Sequence, residues 1–498
     1  MDRSILRGFL SIFSSQVVLL VIGVTSTPVI VRVLGDADYG NYATVLSLLS
    51  VVWILTNAGI FDGVRKYIAE DRDVPNWKSD VFVFYLQVGL ALAVTAALVM
   101  AAASYVGVVE AVFGPEFGSY FYLLAGLLVA RQLWAVARAA LMGFGYEEFS
   151  EPIRVLRRLL YLGLGVSLAW SGFAVDGMLA GRLVAASLVA VGGYLLVRRK
   201  IDSESILAPV PSEFPRRELL SFNTLSVALI FLLSSLYHAD VVLLNLLVGS
   251  TETGHYKAAL VLAEFMWFGP GALQTVLLHS TSELWSNDRH ERITDLASRA
   301  TRYSLLVTLL LAIGLAALAD AFVPLYFGES FAPTVTPLLI LLPGTIGFAV
   351  TRPILAIGQG EGSLRVLISA TGVAAGLNLA LNLALIPRYG MVGAAVATSV
   401  GYGSMLLLHV RSARVIGFDP VSDLRLGRVT LAAVPAALAI FLLADAIGSD
   451  LLALAVVPPV GFLAFAALSY STGAIDREEV AELVAYLPLR RVPFVSPE

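Results

Sequence analysis

Four arginines and two acids interrupt runs of residues that are otherwise apolar. They are Arg131, Arg138, Arg182 and Arg352, with Asp240 and Glu264. An ionisable group in such a run is costly, so it faces a cavity or a partner. Arginine there suits a phosphate or pyrophosphate, because its planar fork donates paired hydrogen bonds. Arg131 and Arg138 are seven residues apart, which is two helical turns, so they share one face at about 10 Å from each other. The acids suit a coupling ion: burial favours the protonated carboxyl unless a cation lies close. Structural ion pairs between helices are the competing reading for all six. Lys257 and Arg32 lie near the ends of their runs and can snorkel. His238, two residues before Asp240, faces lipid headgroups or a neighbouring helix on this reading. Gly269, Pro270 and Gly271 form a break where a helix can bend. Pro28 and Pro343-Gly344 are weaker breaks of the same kind.

Other chemistry is poorly represented. The chain has no cysteine, which excludes disulfides and thiolate chemistry, and its five histidines lack metal-ligand spacing. No metal site and no cofactor are expected, leaving coupling to H+ or Na+ as the remaining requirement. Asp36-Ala-Asp38 matches the D-x-D of metal-dependent glycosyl transfer, but its loop is too short to fold a sugar-nucleotide site. An enzyme is therefore not expected.

The elements that carry these groups are membrane helices. The 498 residues are 58% hydrophobic and 14% charged, with mean hydropathy +0.83, outside the range of soluble globular chains. A spanning helix takes about 20 apolar residues. By that measure the chain holds about fourteen spans, six from Phe9 to the helix starting near Val175 and eight from Leu219 to the helix starting near Leu451. The runs are continuous and lack period-2 alternation, which excludes a barrel. The expected fold is therefore an all-α polytopic membrane protein. Alternate connections hold the basic residues, among them Arg154, Arg157 and Arg158, then Arg289, Arg292, Arg299 and Arg302. The positive-inside rule then places both termini and the 201–218 linker in the cytoplasm of a multi-pass cell-membrane protein. The N-terminus reads as a retained first span, since no small-residue cleavage site follows its apolar run.

The chain also repeats itself. Gly35-Asp-Ala-Asp-Tyr-Gly40-Asn-Tyr42 matches Gly249-Ser-Thr-Glu-Thr-Gly254-His-Tyr256, with glycine, acid, glycine and tyrosine in register. Val175-Asp-Gly177 and Met391-Val-Gly393 open a second matching pair. This predicts two related six-helix lobes, 1–200 and 219–412, joined by the proline-containing linker 201–218. Two extra helices at 413–471 have no counterpart, and a cytoplasmic tail at 472–498 has apolar residues at helical spacing.

The stretch from Leu381 to Tyr402, LNLALIPRYGMVGAAVATSVGY, carries a likeness. Asn382, Leu385, Ile386, Pro387, Tyr389, Gly390, Gly393, Ala394, Ala395, Ala397 and Thr398 follow the pattern N-x-x-L-I-P-x-Y-G-x-x-G-A-A-x-A-T. This resembles the signature of polysaccharide-biosynthesis (Wzx-type) flippases, in the superfamily that includes the multidrug-and-toxin-extrusion antiporters. Leu34–Ala43 and Asp240 with Gly254-x-Tyr256 look like the same family's first and seventh helices. The resemblance implies a two-lobe alternating-access transporter that moves lipid-linked oligosaccharide outward. Its partners would be the lipid-linked glycan, membrane lipids and glycan-assembly enzymes, with no nucleic acid. An ion-coupled multidrug or organic-cation antiporter is the rival within the superfamily, although mid-membrane arginine does not suit a cationic cargo. Read for packing alone, Gly393-Ala-Ala-Val-Ala397 leaves a small-residue face that a neighbouring backbone can approach.

Overall fold

The computed structural model describes residues 3–201, 210–286 and 289–486. Residues 202–209 of the linker and 487–498 of the tail, both assigned to the cytoplasm from sequence, lie outside the described residues. The described chain is helical almost throughout, and none of it forms a strand. Apolar runs must satisfy their backbone groups internally, and a helix does so without a partner.

The helices are, in order, α1 (Arg3–Asn57), α2 (Ile60–Ala69), α3 (Trp77–Tyr105), α4 (Val108–Phe113), α5 (Phe117–Gly143) and α6 (Glu147–Leu168). A π-helical turn, Ala169–Phe173, leads into α7 (Ala174–Val197). Next come α8 (Arg216–Ser221), α9 (Thr224–Leu247), α10 (Ser250–Phe265), α11 (Phe268–Ser286) and α12 (His290–Phe327). A 3-10 turn, Glu329–Thr334, precedes α13 (Val335–Glu361), α14 (Leu364–Ile416), α15 (Leu426–Ala446), α16 (Asp450–Ser471) and α17 (Arg477–Tyr486).

Ten segments among the described residues are long and apolar enough to cross a membrane, or eleven with the bent pair α10 and α11. The sequence predicts about fourteen. The difference has a physical source. Three segments, Ser14–Asn57, Glu147–Val197 and Leu364–Ile416, run for 44, 51 and 53 residues. A straight helix of the last length would reach about 80 Å, against a hydrocarbon core of about 30 Å. None of the three is straight. Gly35 (φ 73°), Gly172 (φ 99°) and Gly390 (φ 54°) interrupt them with non-helical backbone. Such positive φ is available to glycine without a Cβ penalty.

Outward-facing apolar residues such as Leu98, Leu431 and Leu463 are more than 60% exposed. Exposure on this scale fits lipid as the solvent. The chain is thus a multi-pass membrane protein.

Contacts divide the chain into two units. The first comprises Met1–Ala258 and Thr371–Thr398, the second Ala259–Ala370 and Ser399–Glu498. In the first, aromatic residues pack one end of α2, α3 and α5, with the Trp77 and Phe214 rings 5.4 Å apart. The two copies of the repeat found in sequence also meet there. Gly35 and Gly249 occupy equivalent positions and both have positive φ, 73° and 130°. A Cβ on Gly40 would collide with the Ser250 carbonyl oxygen, and one on Gly254 with the Asp36 carbonyl oxygen. The repeats therefore touch backbone to backbone, through the same glycine of each.

In the second unit the tail is part of the packing. Glu479 of α17 pairs with Arg302 of α12, and Asp423 Oδ2 binds the same guanidinium at 2.6 Å. Arg302 is fully buried. Sequence reading counts it only among the basic residues of a connection. Arg425 ties the same cluster to Asp423 and to Asp476, at 2.7 Å and 2.6 Å.

Candidate functional site

A cavity of about 390 Å³ opens within the first unit, lined by residues of α1, α5, α6 and α7. Arg131 enters from α5, Arg182 from α7, and Arg154, Arg157, Arg158 and Tyr161 from α6. The α6 residues follow i, i+3, i+4, i+7 spacing, which puts them on one helical face.

The cations are held mainly by aromatic rings and hydroxyls. Arg182 Nε donates to the Tyr42 hydroxyl at 2.8 Å, and that oxygen lies 2.6 Å from the Tyr161 hydroxyl. The Arg182 guanidinium also sits 4.3 Å from the Tyr161 ring centroid. Arg158 donates to Ser26 Oγ at 3.3 Å, and Arg131 lies 4.2 Å from the Trp53 ring centroid. Cation–π contact and neutral acceptors orient a guanidinium without cancelling its charge. Among the described residues, no carboxylate lies within ion-pair distance of Arg131, Arg157, Arg158 or Arg182. The nearby acid, Glu151, is fully buried and already engaged: it binds Arg138 at 2.5 Å and Arg154 at 3.3 Å, and accepts from Ser15 Oγ at 2.7 Å. Arg157 Nε is buried without a hydrogen-bond partner. The cavity thus presents concentrated positive charge and unused donors to a ligand.

The residues singled out in sequence separate into several settings. Arg131 and Arg182 line this cavity. Arg138 points to Glu151 instead, so the expected shared face with Arg131 ends in two different roles. Arg352 belongs to the second unit, where its Nη1 donates to Gln274 Oε1 at 2.9 Å and its guanidinium lies 4.9 Å from the Trp267 centroid. Glu264 is partly buried on α10.

Asp240 is fully buried on α9, in the first unit. It accepts from the Tyr256 hydroxyl, from Thr398 Oγ1 at 2.8 Å and from the Val241 amide at 2.8 Å. Asn378 donates to Thr398 at 3.3 Å, and Asn382 to Asn378 at 3.1 Å. Asn382 and Thr398 come from the sequence signature, which therefore supplies polar groups to this cluster as well as a packing face.

This cluster has a counterpart beside the arginine cavity. Ser26 and Tyr42 stand at the same offset from Asp240 and Tyr256. Arg182 follows Gly177 as Thr398 follows Gly393, five residues on. One repeat thus places a fixed guanidinium against its tyrosine, and the other a carboxylate.

Gly269, Pro270 and Gly271, expected to break a helix, are helical at the start of α11; the 54° bend between α10 and α11 falls just before them, at Met266 and Trp267. Pro270 is the third residue of α11, where its missing amide leaves no intrahelical bond unmade. Asp36, of the D-x-D match, lies in the glycine seam with Oδ2 3.7 Å from His255 Nε2.

Sequence reading took Arg154, Arg157 and Arg158 as topological charge alone. Their helical spacing with Tyr161 was the available signal. The pairing with Arg131 and Arg182 depends on helix packing that no local pattern encodes.

Comparison with known proteins gives a consistent picture. A family model described as "Polysaccharide biosynthesis protein" matches residues 29–336, and one described as "Lipid II flippase MurJ" matches residues 268–457. The probable low-salt glycan biosynthesis flippase Agl15 of Haloferax volcanii is 22% identical over 385 residues, covering 76% of this chain and 77% of its own. The probable flippase AglR of the same organism is 22% identical over 426 residues, covering 82% and 84%. Among solved structures, the lipid II flippase MurJ in an inward closed conformation superposes with TM-score 0.73 at 14% identity, covering 93% of this chain and 98% of that one. An inward-facing multidrug resistance MATE family transporter of the MOP superfamily gives TM-score 0.63 at 16% identity, covering 78% and 93%.

Proposed function

Because the chain belongs to the polysaccharide biosynthesis protein family, whose model spans residues 29–336, we propose that it is a flippase for a lipid-linked oligosaccharide. It carries a prenyl-phosphate or prenyl-pyrophosphate glycan from the cytoplasmic to the outer leaflet by alternating access, without chemical conversion. The observation that carries this reading is the arginine cavity. Arg131, Arg157, Arg158 and Arg182 face it without a carboxylate partner among the described residues. Such charge fits an anionic headgroup and opposes an organic cation, so the antiporter reading is disfavoured despite the shared fold. The prenyl tail stays in the bilayer, so only the headgroup needs a polar site.

The protein works in the cytoplasmic membrane with both termini inside, and with glycan-assembly enzymes supplying its substrate. Its two lobes, 1–200 and 219–412, rock against each other, with the α10–α11 bend as one flexing point. Asp240 carries the coupling ion, H+ or Na+, since it is a buried acid that accepts from two hydroxyls and a backbone amide.

Deletion followed by mass spectrometry of the carrier lipids tests the class: one lipid-linked glycan should accumulate on the cytoplasmic side. Complementation of the deletion by Arg157→Ala or Arg131→Ala at normal membrane abundance tests the site. Full activity of both would overturn it.

A further inference from the structure

Arg131 also lines a second cavity. This cavity, of about 310 Å³, shares Arg131 and Ser50 with the first and lies wholly within the first unit. Its walls differ in kind. Trp53 and Tyr237 supply aromatic surface, Ile54 and Leu233 add aliphatic surface, and His238 contributes a polar tip. His238 Nδ1 is buried and has no hydrogen-bond partner among the described residues. Its volume sits at the small end of the usual range for small-molecule sites, about 300–1,000 Å³. Few polar groups in a mainly apolar and aromatic pocket are the usual means of fixing one orientation of a small ligand.

We infer that this second cavity is a sugar subsite, which seats the first monosaccharide of the substrate against Trp53 and Tyr237 while the arginine cavity holds the phosphate. The inference rests on the flippase reading and adds where the glycan begins. Three features of the chemistry agree. A glycosyl phosphate places its sugar one oxygen from phosphorus, so the sugar's site must adjoin the phosphate site, and these two cavities share Arg131 and Ser50. A pyranose has one face of C–H bonds, which stacks on an aromatic ring, and hydroxyls at its rim, which need partners. Here the Trp53 ring both lines the cavity and carries Arg131 4.2 Å from its centroid, so a sugar against that ring lies next to the phosphate-binding cation. A rim hydroxyl then satisfies His238 Nδ1, whose unpaired burial otherwise costs free energy. The residues that select the glycan are therefore Trp53, Tyr237 and His238, distinct from the arginines that recognise the phosphate common to all such carriers.

The test compares two probes on the purified full-length protein in detergent: dolichyl phosphate and dolichyl phosphoglucose. The hexose should tighten binding to the wild type by about tenfold, the order expected of one stacking contact with one hydrogen bond. Tyr237→Leu should remove most of that gain while leaving affinity for dolichyl phosphate unchanged, which also certifies its fold. Trp53→Leu should remove the gain and weaken dolichyl phosphate as well, because the Trp53 ring orients Arg131. Trp53→Phe should keep most of it, because the aromatic face remains. A gain that survives Trp53→Leu overturns the subsite, as does a wild type that binds both probes equally. A loss of dolichyl phosphate affinity in Tyr237→Leu overturns it too, by giving the cavity to the prenyl chain. Failure of the wild type to bind dolichyl phosphate at all overturns the flippase reading and the subsite together.

Discussion

Tyr42 is the residue on which the orientation of Arg182 turns. Its hydroxyl takes the Arg182 Nε hydrogen bond and meets the Tyr161 hydroxyl at 2.6 Å. Tyr42→Phe keeps the ring and removes both bonds, at about 1.5–3 kcal/mol for a bond to a charged group. Glycolipid transport should then fall roughly tenfold with abundance unchanged, read by complementation alongside a membrane blot. Arg302 gives the matching prediction for stability. It is fully buried between Asp423 and Glu479, so Glu479→Gln should lower unfolding stability in detergent by on the order of 3 kcal/mol. Arg302→Met combined with Glu479→Leu should recover part of that loss, because an apolar pair leaves no buried charge unmatched. At this scale the sequence discloses which side chains are unusual and not what they touch. Arg131 and Arg182 stand out because a charge in an apolar run is rare. Glu151, which decides the fate of Arg138, lies at the start of a helix where an acid attracts no notice. The partners Tyr42 and Arg182 are 140 residues apart, beyond the reach of any local pattern.

Helices and turns tell a different story, because repetition and glycine mark them clearly. The equivalence of Gly35–Tyr42 with Gly249–Tyr256 is visible as letters, and it reappears as matched positive φ at Gly35 and Gly249. That the two turns would pack against each other was not visible, since nothing in a repeat says where its copies meet. The contact makes a symmetric prediction. Gly40→Ala and Gly254→Ala each drive a methyl group into a carbonyl oxygen of the opposite turn. Both should impair transport, and to a similar degree, with the proteins still reaching the membrane; normal rates in either would show that the turns separate without cost. The sequence places a break at Gly269-Pro270-Gly271, whereas the α10–α11 bend falls at Met266 and Trp267, where no Pro or Gly marks it. The first bond of α11 runs from the Gly271 amide to the Trp267 carbonyl at 2.7 Å. Pro270→Ala supplies a further amide, which lets the helix run back through the break and straighten. Transport should slow while expression stays near normal, as measured by initial rates in membranes of matched abundance.

Over the whole molecule, composition alone establishes the membrane class, and the apolar runs establish helices. The sequence breaks the chain at GDADYG, SGFAVDG and IPRYG, and in each the backbone leaves helical geometry at a glycine, Gly35, Gly172 and Gly390, inside a stretch that otherwise runs on as one helix. The assignment of sides is open to direct test, since the chain contains no cysteine to give background. A single cysteine at Ser205, in the linker outside the described residues, should resist an impermeant thiol reagent applied to intact cells and react after permeabilisation. Labelling from outside would invert the proposed topology. The glycine seam has one more consequence, and it concerns reversibility. Immobilising a long side chain costs up to about 2 kcal/mol of rotamer entropy, whereas glycine has none to lose. Between Gly40 and Gly254 themselves no side chain is ordered, with only the Asp36–His255 pair beside them, so joining and parting the backbones there carries little entropic bias. A seam of that kind favours neither position strongly, and leaves the balance between them to whatever occupies the arginine cavity.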